Sequence, residues 1–403
     1  MTEKMQARRA QNPINGLCAV LPKNNEVMLM KISENCYKLE NTANPISPNV
    51  FCADPTGVEY NGRLYIYGTN DHQEYEAVGD DGKNGYAHIK SIVMLSTDDM
   101  VNWEYHGFID VAKIAPWIVN SWAPSVTSRV EADGKTHFYL YFSNSGCGVG
   151  VLTAEHPLGP WSDPLGKPLI YQNMPGLENC PAPFDPGVCI DENGTGWLAF
   201  GGGTPPDGNT LHTNIPKIVR LGKDMLSFDS DFVPIDAPYF FEASELNYEN
   251  GTFIYTYSTD WQSRENWNRT DVPAPGICSM GCLTSKTPLD PDSWQFRGGF
   301  FLNAGDSGMD WCTITPTLSN IREQSTFFTT HFTFRSARKQ REDSAVCAWI
   351  YCLTRIRNSP SQRQHAKASR RLSRSTHIKL TAVRRCSPAQ ICGTNRYPPA
   401  KWL

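Results

Sequence analysis

The chain has 403 residues, of which 40% are hydrophobic and 11% aromatic, and its formal net charge is −4. This length and composition allow one large domain or two ordinary ones, with enough apolar residues for a sizeable core. No apolar run reaches the roughly 18 residues that a membrane-spanning helix needs, so the sequence predicts no membrane segment.

The N-terminus and the cysteines indicate the compartment. The first residues are basic but contain no apolar core of about 7–15 residues, so we find no signal peptide and expect a cytoplasmic protein. The cysteine count is 13, which is odd, so we expect reduced thiols rather than disulfides. Cys278 and Cys282 come closest to a metal-ligand spacing, but without a second pair or a nearby His they are typical of packed thiols.

The charge is divided unevenly along the chain. Residues 1–320 hold 20 Lys and Arg against 38 Asp and Glu, whereas residues 321–403 hold 17 against 3. We therefore predict an N-terminal extension (1–43), a main domain (44–312) and a basic, atypical C-terminal segment (313–403). The basic segment lacks the aromatic and motif context of a nucleic-acid module, so we expect an artefactual or disordered tail and no nucleic-acid partner.

One turn-and-strand pattern recurs four times. The turn glycines Gly62, Gly134, Gly194 and Gly251 each follow Asn or Asp, precede an alternating aromatic strand, and lie 72, 60 and 57 residues apart. Periods of this size, with several short strands in each, indicate a radial β-repeat. The sequence therefore predicts an all-β, five-bladed β-propeller. Only four blades carry the signal, because the expected fifth, near residues 315–335, shows no turn dipeptide and no clean alternation.

Other strand-like runs lie between these signals. Residues 91–96 and 148–153 are continuous apolar runs that fit inner or middle strands of the first two blades. Helical periodicity is scarce before residue 320, in agreement with an all-β domain.

Three carboxylates stand just ahead of the turn signals. Asp54 and Asp185 each precede Pro, and Glu242 follows three aromatic residues; their leads to the next turn glycine are 8, 9 and 9 residues. A near-constant lead predicts equivalent positions in three blades and convergence at one mouth of the axis. A single Asp-Pro is an ordinary turn start. The repeated offset instead favours a site that uses perturbed pKa values.

Such a set of carboxylates suits glycoside hydrolysis, in which one carboxylate activates water and one carboxylic acid protonates the leaving oxygen. Glu242 follows residues 239–241, whose aromatic surroundings would raise its pKa, so we predict Glu242 as general acid and Asp54 as general base. Asp185 would hold the acid in place and modulate its pKa. Glu245 is the competitor for the acid role, but it breaks the constant lead.

Three aromatic residues complete the predicted site as substrate-binding groups: Trp122, Phe184 and Phe241. Trp122 precedes the strand of the second blade, where an indole could stack on a sugar ring or equally serve the core. Phe184 and Phe241 directly precede two of the acids.

Together these motifs resemble glycoside hydrolase family 43, the five-bladed propellers that act on arabinose- and xylose-containing polysaccharides. The resemblance covers roughly residues 44–312 and rests on motifs in the family's order and spacing: Asp54-Pro55, residues 96–103, Trp122-Ala123-Pro124, residues 184–187 and Phe241-Glu242-Ala243. It implies an inverting β-xylosidase or α-L-arabinofuranosidase acting on small oligosaccharides, with Trp122 in the sugar subsite and carboxylates about 6.5–9.5 Å apart. It implies no cofactor for the chemistry and allows a structural calcium ion at the axis. It leaves the metal ligands, the oligomeric state and the preferred sugar open.

The chain departs from this family after Cys312. There the resemblance predicts an Asn- and His-rich segment and a later Arg, but residues 313–317 are Thr-Ile-Thr-Pro-Thr. We hypothesise a reading-frame shift near Cys312, and His331 has no neighbours that match the missing axial His. The alternatives to an active glycosidase are a non-catalytic sugar-binding propeller and an inactive frame-shifted product. A glycoside phosphorylase would need a phosphate-binding cluster that the sequence before residue 312 does not show.

Overall fold

A computed structural model of the chain describes residues 46, 50–79, 85–100, 102–205, 207–301 and 303. It also describes the backbone of five strands within residues 17–31 and 316–354. Across these described residues, no helix is long and apolar enough to cross a membrane.

The chain forms a short N-terminal hairpin and then four sheets of four antiparallel strands, in which strands adjacent in sequence are adjacent in the sheet. The hairpin consists of β1 (Leu17–Val20) and β2 (Met28–Lys31). Blade 1 consists of β3 (Ala53–Tyr60), β4 (Arg63–Thr69), β5 (Ser91–Thr97) and β6 (Glu104–Asp110). Blade 2 consists of β7 (Trp122–Val130), β8 (Thr136–Ser143), β9 (Gly148–Ala154) and β10 (Ile170–Tyr171).

Blade 3 consists of β11 (Gly187–Ile190), β12 (Gly196–Phe200), β13 (Lys217–Arg220) and β14 (Val233–Pro234). Blade 4 consists of β15 (Phe240–Glu249), β16 (Thr252–Thr259), β17 (Met280–Ser285) and β18 (Gln295–Phe301). The N-terminal hairpin extends this blade, because β1 pairs with β18. A three-stranded sheet follows, with β19 (Pro316–Ile321), β20 (Gln324–Phe334) and β21 (Val346–Thr354). Two short helices follow strands of blade 1: α1 (Asp71–Val78) comes after β4, and α2 (Val111–Ile114) comes after β6.

The four sequence signals are the hairpins that join the first and second strands of the blades. Gly62 and Gly251 have positive φ together with the Asn before each of them, which is the type I′ geometry that Asn-Gly favours. At Gly134 and Gly194 the glycine alone has positive φ. The runs at 91–96 and 148–153 form the third strands β5 and β9, as predicted for middle strands.

The first strands of the blades surround the axis. β3 contacts β7, β7 contacts β11, and β11 contacts β15, so the blades follow one another radially. These four strands line a cavity of about 230 Å³. The all-β propeller predicted from the sequence is therefore confirmed. β19 lies against β3 and also contacts β15.

Aromatic residues of the second strands connect the blades. Tyr67, Tyr141 and Tyr257 are fully buried. Their hydroxyls donate to backbone carbonyls beyond their own hairpins: Tyr67 to Pro157 O at 2.7 Å and Tyr141 to Met225 O at 2.6 Å. Each blade packs against a neighbour on both faces, so the side chains of these strands are buried. A tyrosine fits there because its ring is apolar and its hydroxyl finds a hydrogen-bond acceptor.

The inner strands are joined by side-chain hydroxyls. Val126 N donates to Thr56 Oγ1 and Val188 N donates to Ser125 Oγ, each at 3.0 Å. Blade 3 has Gly187 at the position of these hydroxyl residues. A Cβ on Gly187 would lie 2.8 Å from Glu245 Cα, so the backbone of blade 4 occupies that space.

We predict that Gly187→Ala lowers the free energy of unfolding by about 1–3 kcal/mol, because blade 4 must move to admit the methyl group. Gly146→Ala is the matched control, since its Cβ would meet only the Ala182 Cβ at 3.8 Å. Urea unfolding of both variants checks this. Equal midpoints for the two variants would contradict close packing of blades 3 and 4.

Candidate active site

Each first strand begins with a bend at the same end of the axis. One residue in each bend has positive φ: Asp54 (48°), Ala123 (39°), Asp185 (51°) and Ala243 (61°). We call the end of the axis defined by these four residues the axial mouth. Left-handed backbone is unfavourable for residues with a Cβ, and such strain concentrates at functional sites.

The bends correct one inference drawn from the spacing. Asp54 and Asp185 are equivalent, but the residue of blade 4 at this position is Ala243, and Glu242 precedes it by one. Strand pairing gives the same alignment, because Ala53 pairs with Thr69, Trp122 with Ser143, and Glu242 with Ser258. Glu242 therefore shares its position with Trp122 of blade 2, one residue before the bend.

Asp54 is held by a hydroxyl that also serves the next blade. The Thr69 hydroxyl donates to Asp54 Oδ2 at 2.6 Å. The same Thr69 Oγ1 accepts the N–H of Ala123 at 2.7 Å. The carboxylate of Asp54 is thereby tied to the bend of blade 2, and it stays partly exposed at the axial mouth.

Asp185 connects three blades. Its N–H donates to Ser143 Oγ at 2.8 Å, and the Ser143 hydroxyl donates to Asp185 Oδ1 at 3.2 Å. Its other oxygen, Oδ2, accepts the N–H of Ala243 at 2.9 Å. Asp185 thus holds the peptide next to Glu242, and its role as modulator of the acid stays a prediction.

The electrostatics place Asp185 close to Asp54. Burial and, next, the negative charge of Asp54 together raise the pKa of Asp185 to about 7, against the opposing hydrogen bonds from Ala243 and Ser143. Geometry supports this proximity, because Thr69 joins Asp54 to the bend of blade 2, and Ser143, which pairs with Trp122 beside that bend, joins Asp185 to it. Glu242 joins them through the Asp185–Ala243 hydrogen bond and is half-buried.

The predicted aromatic residues all lie at this end of the blades. Trp122 is half-buried, and its Nε1–H donates to the carbonyl of Tyr86 at 3.0 Å. The carbonyl of Phe241 accepts the N–H of Gly203 at 2.9 Å. The ring of Phe184 covers Gly202 so closely that a Cβ there would overlap it.

Two residues near the carboxylates were missed by the sequence predictions. Asp71 begins α1 at the mouth end of β4, is buried, and its Oδ2 has no hydrogen-bond partner among the described residues. Burial raises its pKa well above the ordinary value, and the charges of Asp54 and Glu74 add to this. Its position just after the aromatic strand β4 could have identified Asp71 as a candidate site residue from the sequence. Tyr86 comes from a loop without any pattern, and no spacing could have placed it here.

Glu245 lies away from the three carboxylates. It pairs with Thr256 further along β15 and lines the axial cavity below the mouth. Within the described ranges, no group of three or more His, Cys, Asp or Glu residues could hold a metal ion, and a structural calcium ion stays a prediction. None of the six cysteines that the structure describes forms a disulfide, and Cys278 and Cys282 are buried.

We predict that Asp185→Asn weakens the dependence of stability on pH. The folded pKa near 7 exceeds the value of about 4 for an unfolded aspartate, so the fold favours the protonated form. The parent's stability should therefore fall as the pH rises from about 4 through about 7, and Asn removes this fall.

Urea unfolding at pH 4.5 and pH 7.5 measures this effect. The variant should gain stability relative to the parent at the higher pH, by an amount on the order of a few kcal/mol. Asp207→Asn, at an exposed position, is the control and should follow the parent. A constant difference between Asp185→Asn and the parent at both pH values would refute the raised pKa.

The fold and the site define a β-propeller with three carboxyl groups at the mouth of its axis. The family model for glycosyl hydrolases family 43 matches residues 42–303, and the chain belongs to this family.

Named relatives agree with this assignment. The arabinoxylan arabinofuranohydrolase of Bacillus subtilis (strain 168) is 40% identical over 277 residues, covering 65% of this chain and 52% of that protein. The arabinoxylan arabinofuranohydrolase of Paenibacillus polymyxa is 37% identical over 278 residues, covering 66% of this chain and 42% of that protein. The chain therefore spans about half the length of the curated relatives it matches.

Solved structures show the same architecture. The family 43 arabinoxylan arabinofuranohydrolase from Bacillus subtilis, in complex with cellotetraose, aligns with a TM-score of 0.71 at 31% identity, covering 87% of this chain and 71% of that chain. The α-L-arabinofuranosidase from Clostridium thermocellum aligns with a TM-score of 0.54 at 28% identity, covering 72% and 85%.

Proposed function

We propose that this chain is a glycoside hydrolase that releases arabinofuranose or xylose from xylan- or arabinan-derived oligosaccharides. The observation that carries the proposal is the hydrogen-bonded set that brings Asp54, Asp185 and Glu242 to one axial mouth. Membership of the family supports the reaction class. The names of two curated relatives, the arabinoxylan arabinofuranohydrolases of Bacillus subtilis and Paenibacillus polymyxa, support arabinoxylan-derived substrates.

The proposed reaction uses two carboxyl groups on opposite sides of the anomeric carbon. Asp54 accepts a proton from a water molecule as the water oxygen attacks that carbon. Glu242 gives its proton to the glycosidic oxygen as the carbon–oxygen bond breaks, so the sugar leaves with inverted configuration. Proton NMR of the first-formed anomer tests the inversion: retained configuration would exclude this scheme.

Asp185 positions the acid in this mechanism. Its Oδ2 accepts from Ala243 N, and this hydrogen bond holds the backbone beside Glu242. Because Asp185 is buried with a raised pKa, it adds little negative charge at mildly acidic pH and leaves Asp54 as the principal base. Trp122, Phe184 and Phe241 line the site as apolar surfaces for the sugar.

We also propose that the propeller has five blades. β19 lies beside β3 and contacts β15, which is the place of an innermost strand between blades 4 and 1. The sheet of β19, β20 and β21 would then act as the fifth blade, although its sequence lacks the family's segment after Cys312. Resequencing the gene tests the frame-shift hypothesis. A clean sequence that confirms the present frame, together with failure to recover a homologous in-frame fifth blade, would end it.

We predict that Glu242→Gln lowers kcat on an arabinoxylan-derived oligosaccharide by about 10²–10⁴-fold, because the poor leaving group needs a proton. With a dinitrophenyl glycoside, whose leaving group needs no proton, the loss should be within about tenfold. Asp54→Asn should lose activity on both substrates to a similar extent, because both need an activated water. Initial rates on the two substrates measure these effects.

Glu245→Gln is the matched control, since Glu245 stands on the same strand but lines the axial cavity. It should keep the parent's ratio of rates on the two substrates. If Glu245→Gln showed the leaving-group effect and Glu242→Gln did not, the acid role would pass to Glu245. If the parent bound sugars and hydrolysed neither substrate, a sugar-binding propeller would replace the enzyme.

A further inference from the structure

A loop between β4 and β5, here named the Tyr86 loop (residues 85–90), stands at the axial mouth. Tyr86 is 42% exposed, and its ring meets Trp122 edge to face, with centroids 6.3 Å apart and an interplanar angle of 71°. The carbonyl of Tyr86 accepts the indole N–H of Trp122. The indole N–H of Trp122 therefore has a hydrogen-bond acceptor within the protein. The two rings together form an aromatic surface that is exposed to solvent.

The Tyr86 side chain lies near the carboxyl groups. Its pKa is raised, first by burial and then by the charges of Asp71, Glu242 and Asp54. The side chain therefore reaches from solvent to the neighbourhood of the carboxyl groups. A ligand that extends from Glu242 towards solvent on this side of the mouth must pass along the ring.

The Tyr86 loop is anchored on both sides of the tyrosine. Glu74 of α1 is buried, and its carboxylate accepts the N–H of Gly85 at 3.0 Å and the N–H of His88 at 2.8 Å. Asn120 Nδ2 donates to the carbonyls of Tyr86 and Ala87 at 3.2 and 3.0 Å. Buried hydrogen bonds of this kind hold a side chain in a fixed orientation, which a binding surface requires.

We propose that Tyr86 is a specificity-determining residue whose ring contacts the sugar unit on the leaving-group side of the scissile bond, and that Glu74 positions the loop that carries it. The inference rests on the proposed glycosidase function, in which the released pentose lies against the carboxyls and Trp122. The next pentose of the chain then lies further out, where Tyr86 stands. Apolar sugar faces pack on aromatic rings, so the partner of this ring is a xylo-oligosaccharide chain.

The test compares substrates with and without sugar on the leaving-group side. Tyr86→Ala should raise KM for an arabinoxylo-oligosaccharide about tenfold and KM for 4-nitrophenyl α-L-arabinofuranoside by only about threefold, because the aryl group covers less of the ring than a sugar chain does. Tyr86→Phe keeps the ring and should stay within about threefold of the parent on both substrates. Tyr105→Ala is the matched control, since Tyr105 is 49% exposed on β6 of blade 1, away from the mouth.

Glu74→Gln tests the positioning role. The amide group cannot accept both backbone N–H groups, so KM for the oligosaccharide should rise while kcat on the aryl glycoside holds. If Glu74 had only a structural role, the substitution would impair turnover of the oligosaccharide and of the aryl glycoside together. Thermal unfolding of each variant separates a folding defect from a binding one.

Binding of xylotetraose, measured by calorimetry, makes the test independent of hydrolysis. The parent should bind it, and Tyr86→Ala should bind it about tenfold more weakly. Unchanged binding and unchanged KM in Tyr86→Ala, or an equal loss on both substrates, would overturn the proposal. So would a parent that cleaves the aryl glycoside but does not bind xylotetraose. A parent that binds xylotetraose through Tyr86 and hydrolyses nothing would refute the glycosidase function and leave Tyr86 as a sugar contact.

Discussion

The bends of blades 2, 3 and 4 each present a backbone N–H to the preceding blade, and a buried N–H needs a partner. Thr69 of blade 1 and Ser143 of blade 2 supply it with their hydroxyls. At the same position blade 3 has Gly201, which has no side chain to accept the N–H of Ala243. The carboxylate of Asp185 accepts it instead. This hydrogen bond joins blade 3 to blade 4 beside Glu242, and the geometry of the site depends on it.

The hydrogen bond that joins blades 3 and 4 is therefore also the one that positions the site. A carboxyl group that must accept a hydrogen bond from a buried backbone is itself buried, at 8% exposure, and its ionisation becomes unfavourable. The nearby charge of Asp54 adds to this cost. The strained bends at Asp54 and Asp185 are kept because the surrounding hydrogen bonds determine them.

The local features of this fold were predictable, and the features that need several blades were not. Asn61-Gly62 and Asn250-Gly251 specify hairpins within a few residues, so the first and second strands could be assigned from the sequence. Asp54 and Asp185 could be paired because each is followed by Pro and stands eight or nine residues before a turn glycine. The one-residue offset of Glu242 could not, because the irregular pairing along β15 leaves no trace in the spacing. Tyr86 reaches the site only through the buried contacts of Glu74 and Asn120, which join distant parts of the chain.

The convergence of the carboxyl groups is tested most directly by titrating the Asp185 carboxyl carbon with ¹³C NMR in aspartate-labelled protein. The resonance is assigned by its absence from the Asp185→Asn variant. We predict a pKa of about 7 for this group, and a lower value once Asp54 is replaced by Asn, because the like charge beside it is gone. A carboxyl that titrates near 4, or that does not respond to the Asp54→Asn substitution, would contradict the convergence of these residues at the axial mouth.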